Sequence, residues 1–563
     1  LLISEITFVR LITPTENTFS DSNLNGYEIV KISILSSLFS LLILVDVGIY
    51  AAEPLHKSIN QQISAAWKQN NLTPAEKSSD EEFLRRVTLD LLGTIPTAEE
   101  VIAFLKDNDP QKREKLIDKY LADPRFSQSQ TLVWDQVLFG RNPLNPEATR
   151  KRDGFRAWLT AQFNNKIGLD QIAKKILLAE EEGSELFLVQ YRSNPEEATV
   201  GVTRIFMGTQ LQCARCHDHP FDKWTQKDFY GMAGFFVRLV VLDGGGTGPD
   251  KKYKIGEKST GEVLFTGAAK DQKPGQKGEP IKPKFLGAEP LNEPTPPMGF
   301  KEEPVKEGTK TLPKPFFSRK EKFADWLAQP KNPYFAKAMV NRIWGQFMGR
   351  GIVHPVDDLG DHHKPELGAL LDQMTTQFIE NKFDVRWLIR EIVLSDAYQL
   401  SSKGPSREAS LRFYERARVR PLSAEEIMLA IRQATGYDVD NKTPSRLPNA
   451  GEEYFLRYFG EPLNGLGEFQ GSLGEHLFWN NSENIKGLIR RKKGNLADQV
   501  LTSKEPPEAK VEKLFLAVLS RRPSEKETSK FVEFLSAAGS KPEGAVEDAI
   551  WVLLNSPEFR FNH

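Results

Sequence analysis

At 563 residues the chain is too long for a single hydrophobic core and is expected to hold two to four compact units. Its hydrophobic content of 39%, with Trp, Phe and Tyr all present, excludes a disordered polypeptide. Lys and Arg (75) nearly balance Asp and Glu (76) without a long basic run, so no electrostatic case exists for a nucleic-acid partner. Two cysteines exclude a disulfide framework and make their placement the most informative feature of the chain.

The first element in chain order is a targeting segment, residues 1–52. Lys31 precedes Ile32 to Val45, fourteen residues without a charge, and Gly48 to Ala52 supply small residues for cleavage. That length suits a signal-peptide core and falls short of the ~20 residues a bilayer span needs. The rival reading is an uncleaved anchor, which would be the chain's only link to a membrane. Residues 1–29 are polar, and translation is expected to begin near Val30. The expected location is therefore outside the cytoplasm, in the periplasm or at the cell surface.

From 53 to 240 the texture is helical. Phe83, Leu84, Val87 and Leu91, then Val101, Ile102 and Leu105, recur at helix spacing. Ser79 with Glu82, Thr97 with Glu100 and Thr225 with Asp228 each place a hydroxyl three residues before an acid, the pattern of a capped helix start. Residues 241–315 turn to Gly, Pro and Lys and read as a linker, with at most a small hairpin between Tyr253–Ile255 and Glu262–Thr266. From 316 to 563 the helical texture returns. The expected fold is mainly α, two helical domains joined by that linker. The stretch from Leu91 to Glu100 echoes that from Val518 to Glu527, and both read as a tight corner between helices.

The chemistry-bearing constellation is Cys213-Ala214-Arg215-Cys216-His217. Two thiols about one turn apart reach the two vinyl groups of one porphyrin, and the adjacent imidazole meets the iron. Covalent haem c on Cys213 and Cys216, with His217 as axial ligand, agrees with export. Candidates for the opposite axial position are Met207, Met232, His219, His354, His362 and His363, and nothing in the sequence chooses among them. Two other readings stay open: a disulfide between the cysteines, and zinc or another transition metal held by Cys213, Cys216, His217 and His219. In the second half Asn341, Arg342, Trp344, Arg350, Asp357 and Asp358 read either as a polar pocket or as caps and ion pairs, with the structural role favoured.

The run from Phe206 through Cys213 to Gly231 closely resembles the central motif of planctomycete-type cytochrome-like proteins, whose amino-terminal half is domain of unknown function 1549. Phe83 to Val87 and Leu89 to Gly93 match its opening helix. Asn332 to Ala336, Val340 to Trp344, Gly349 to Val353, Pro355 to Asp358, Tyr398 to Ser402 and Leu553 to Phe559 resemble the companion domain of unknown function 1553. The resemblance implies an exported protein with a haem-type motif and no settled activity. The chain departs from its relatives in two places. Many carry further cysteines after a segment like Phe455 to Gly460, where Gly465 to Phe469 has none; and many place His directly before Pro-Glu-Leu, where this chain has Lys364 preceded by His362 and His363.

Three functions follow as expectations. The first is an exported c-type haem protein that passes electrons to or from an unidentified redox partner. The second is a metal-dependent enzyme acting on an extracellular polymer. The third is a non-catalytic envelope scaffold. Substrate and oligomeric state are not legible in the sequence.

Overall fold

The computed structural model describes residues 53–563 except 142–143, 146–150, 248–250, 267–277, 303–313, 405–411 and 438–472. The targeting segment and the stretch where relatives carry further cysteines lie outside the described residues. The chain divides into two units, Leu1–Ala52 and Glu53–His563. The second is mainly α, as expected, with three two-stranded antiparallel ribbons among its described residues. No helix among the described residues is long and apolar enough to cross a membrane.

Local sequence signals set the helix boundaries. Ser79 accepts from the Glu82 amide, while Thr97 with Glu100 and Thr225 with Asp228 form complete capping boxes. Phe83, Leu84, Val87 and Leu91 are fully buried, as is Val101, but Ile102 and Leu105 lie only half-buried and Phe104 takes the inward position. The two echoing corners share one geometry. Each leaves its helix through a left-handed residue, Gly93 (φ +67°) or Ser520 (φ +60°), and enters the next through a capping box.

Burial crosses the boundaries in sequence texture. The larger core joins Phe83, Phe187 and Phe206 to Phe335, Trp344 and Phe378, so residues on both sides of 241–315 fill one interior. A smaller core gathers Leu422 to Ala434 and the helices after 473, and it includes Leu89, Ile95 and Leu132. Helix Asp80–Leu92 lies between the two, which is why its arginines are buried. Arg85 donates to the carbonyls of Val518 (3.3 Å) and Phe559 (3.0 Å), and Arg86 to those of Tyr398 (2.7 Å) and Leu400 (2.9 Å).

The expected hairpin is corrected. Tyr253–Ile255 pairs with Val241–Asp243, and Val263–Phe265 pairs with Glu279–Ile281. The run Leu239-Val240-Val241-Leu242 before three glycines is a strand-then-turn signal that outcompetes the later segment, because Leu239 and Leu242 have buried positions to fill. Some of the described parts of 241–315 pack against the helices, although many of its residues are exposed. Phe285 stacks between Phe235 and Trp326, 4.7 Å from each, and buried Arg319 binds Glu262 (2.9 Å), Glu293 and the Gly234 carbonyl (3.0 Å).

These buried ion pairs have a consequence for acid stability. Burial alone would raise the Asp90 and Asp135 carboxyls, but Arg418 and Arg420 beside the first, and Arg152 and Arg156 beside the second, hold both below the ordinary carboxylate range. A folded-state value below the unfolded one stabilises the protein above the ordinary value of about 4, and that contribution is lost as pH falls from there through the lower folded-state value. Burial moves Asp170, Glu185 and Glu257 the other way, which reduces the slope without reversing it. The urea midpoint is expected to fall as pH drops below about 4, and a midpoint constant from there to about pH 2 would contradict the account.

Candidate functional site

Helix Pro195–Met207 ends at Gly208, whose left-handed conformation (φ +58°) turns the chain out of the core. Leu359 from the second half packs against this turn and donates its amide to the Gly208 carbonyl at 2.7 Å. The motif follows on a single 3-10 turn, Gln212–Arg215. Ala214 points inward and is fully buried, and this places Cys213 and Cys216 on the outside, both exposed and free. No disulfide joins them, so that reading is not realised.

The loop is held at several points. Arg215 pairs with Glu197 (2.9 Å) and with Glu196 on helix Pro195–Met207, and its carbonyl accepts from Tyr230 Oη at 3.2 Å. Asp218 accepts the Gln226 amide (3.0 Å), and the His219 amide donates to the Trp224 carbonyl (2.8 Å). His217 is exposed, with Nδ1 2.8 Å from the Asp218 carbonyl oxygen. A carbonyl only accepts, so Nδ1 carries the proton and Nε2 keeps its lone pair.

The structure separates the remaining candidates. Met207 and Met232 are 1% and 0% exposed and belong to the main core, so their thioethers are not presented beside the cysteines. His219 is half-buried and its Nδ1 accepts the Phe221 amide (3.3 Å). His354 lines a separate cavity of about 210 Å³, together with His363, Arg350 and Lys364.

His362 and His363 come to the motif loop from the other side. Exposed Phe221 lies 6.3 Å from the His362 ring, and Lys223 reaches Asp361 at 3.1 Å. Gly360 permits the approach. A methyl group there would sit 2.7 Å from His362 Nδ1 and 2.8 Å from Asp222 Oδ2. Burial first, then Asp222 and Asp361, pushes the nearby Tyr334 hydroxyl up to about 12.

Of the six polar residues singled out in the second half, Asn341, Arg342 and Trp344 are structural. Asn341 clasps the Val353 backbone through both its amide atoms (2.8 and 2.9 Å). Trp344 is fully buried against Tyr414. Burial lowers Arg342 to about 10 despite the opposing charge of Asp357, and it donates to the Arg204 and Ile205 carbonyls. Arg350 lines the cavity, and Asp358 meets the two histidines. Sequence reasoning did not join Asp358 to His362 and His363, although Asp-x-x-x-His-His with a glycine in the turn was a readable signal. It also passed over Asp222.

With this geometry in hand, the comparisons with known proteins add the family. The family model described as protein of unknown function (DUF1549) matches residues 58–240, and that described as protein of unknown function (DUF1553) matches 319–453. The chain belongs to the family that carries these two domains in this order. No curated protein and no solved structure matches it.

Proposed function

We propose that the protein is an exported, c-type haem-binding redox protein whose attachment residues are Cys213, Cys216 and His217. The observation that carries this reading is the state of the motif: two free, exposed thiols, one on a 3-10 turn and one at its end, followed by an exposed imidazole. These residues fit the group. The Asp218 carbonyl orients the ring through Nδ1–H, the usual support for a ligating histidine. Haem c bound there would supply one-electron transfer at the protein surface. The chain's own part is to hold the motif rigid through Arg215, Asp218 and Ala214, and to keep Met207 and Met232 in the core. Export rests on the uncharged segment Ile32 to Val45.

The test is production of the chain in the periplasm of a host with a c-type maturation system. Haem is expected to remain with the polypeptide after denaturation, since thioethers are covalent. Cys213→Ala combined with Cys216→Ala should abolish that retention. A colourless parent protein from a competent host defeats the proposal. The second reading, a metal-dependent enzyme, is favoured by one observation, the pair of imidazoles on Asp358 beside the motif loop.

A further inference from the structure

Asp358, His362 and His363 each offer a ligand atom, and all three atoms lie within 4.8 Å of one another. His362 Nε2 and His363 Nε2 are each 3.2 Å from the same oxygen, Asp358 Oδ2. Donors bound to one zinc-class ion at ~2.0–2.1 Å sit roughly 3.0–3.4 Å apart in tetrahedral or octahedral geometry. The observed separations from the carboxylate already match that edge. The ring centroids are 4.2 Å apart, so the two imidazoles converge on one side of the carboxylate.

We propose that Asp358, His362 and His363 hold a divalent transition-metal ion at the edge of a cationic pocket that takes an anionic ligand. The site is distinct from the cysteine motif and does not depend on haem. With no ion present, the carboxylate accepts from both Nε2–H groups. Binding replaces those two hydrogens with the cation, and each ring passes to its neutral Nδ1–H tautomer without net proton loss. Asp222 Oδ2 and His362 Nδ1 both lie close to Gly360, so an acid stands near the outer edge of that ring.

The donor set bears on function. Two imidazoles and one carboxylate suit zinc, iron, cobalt or nickel rather than calcium or magnesium. Three protein ligands leave positions open, as in sites that bind and polarise a substrate oxygen. His363 is shared with the cavity of about 210 Å³, whose other walls include Arg350, Lys364 and Arg412 against a single acid, Glu366. Cations beyond the first shell leave room for a ligand that brings a negative oxygen to the ion and its remaining charge to the pocket.

The experiment uses the full chain, loaded with Zn²⁺ or Co²⁺ and dialysed, with metal measured per chain. The parent should retain one ion, and its cobalt form should show a visible spectrum without the near-ultraviolet band of a sulfur ligand. Cys213→Ala with Cys216→Ala should retain the ion. His362→Ala with His363→Ala should lose affinity by more than the roughly 10- to 100-fold that an outer-shell change costs. Haem content of the histidine variant should equal the parent's, so the two readings fail separately. Inorganic phosphate should bind the metal-loaded parent, and Arg350→Ala with Lys364→Ala should weaken that by roughly tenfold or more. Retention of the ion by the histidine variant, its loss with the cysteines, or absence of binding by the parent overturns the metal site. Phosphate binding that is absent or indifferent to the ion overturns the ligand class.

Discussion

Asp90→Ala is expected to lower folding stability by roughly 3–5 kcal/mol, the largest effect of any single charge removal considered for this chain. One carboxylate ties its helix to three distant segments. Its Oδ1 accepts from Arg418 (3.0 Å), Arg420 (2.9 Å) and Asn562 (2.9 Å), and its Oδ2 from Tyr398 (2.9 Å). Alanine would leave the Arg418 guanidinium, already lowered to about 10 by burial, without the charge that holds it up. Arg420 retains Glu426, so the two arginines do not suffer equally. The urea midpoint measures the loss. Asp90→Asn keeps the shape but not the charge and should fall between alanine and the parent. Lys337→Ala removes an exposed pair with Asp372 and should leave the midpoint nearly unchanged. A loss under about 1 kcal/mol for Asp90→Ala would show that water reaches the arginines and that the helix is not anchored through this group.

His217→Ala separates the haem reading from every other. With Cys213 and Cys216 intact, thioethers still form and some covalent haem is expected to remain. The Soret band should shift and the reduction potential should change, because the axial ligand is a principal control on haem iron. Folding should be unaffected, since the ring is exposed and its one hydrogen bond is to the adjacent residue's carbonyl. That makes the spectrum readable. If the cysteines and His217 instead held zinc, metal content would collapse and no visible spectrum would exist at any stage. A haem-containing variant with the parent's spectrum and potential means that His217 does not bind iron.

If Cys213, Cys216 and His217 hold haem, burial narrows the candidates for the opposite axial position. Met207 and Met232 were as eligible as any residue in the sequence, because spacing along a chain says nothing of which side chains a core consumes. Both fill the interior beneath the motif, and moving either would open a cavity there. His362 is the candidate that approaches the motif loop, through Phe221. The metal site proposed for it competes with that role, and the Soret spectrum and metal content of the histidine variant decide between them.

What the sequence determined was local. Caps at Ser79, Thr97 and Thr225, the helical period through Phe83 to Leu91, and the closeness of Cys213, Cys216 and His217 all depend on residues within a few positions of each other. Hydrogen bonds to the nearest backbone and steric limits on φ settle such features before the chain folds further. Strand pairing failed as a sequence inference because Tyr253–Ile255 had two possible partners, and the choice depended on which leucines could be buried. The candidate site failed for a related reason. Asp222 and His362 are 140 positions apart, and they meet because Leu359 packs on the turn at Gly208 while Gly360 leaves space for the close approach. Arg85 and Arg86 look like solvent-facing charges in a helix pattern, yet carbonyls from the chain's last third draw them inside. Only the folded chain could decide these, because burial makes an unpaired charge too costly to leave and so selects its partners from whatever the packing brings near.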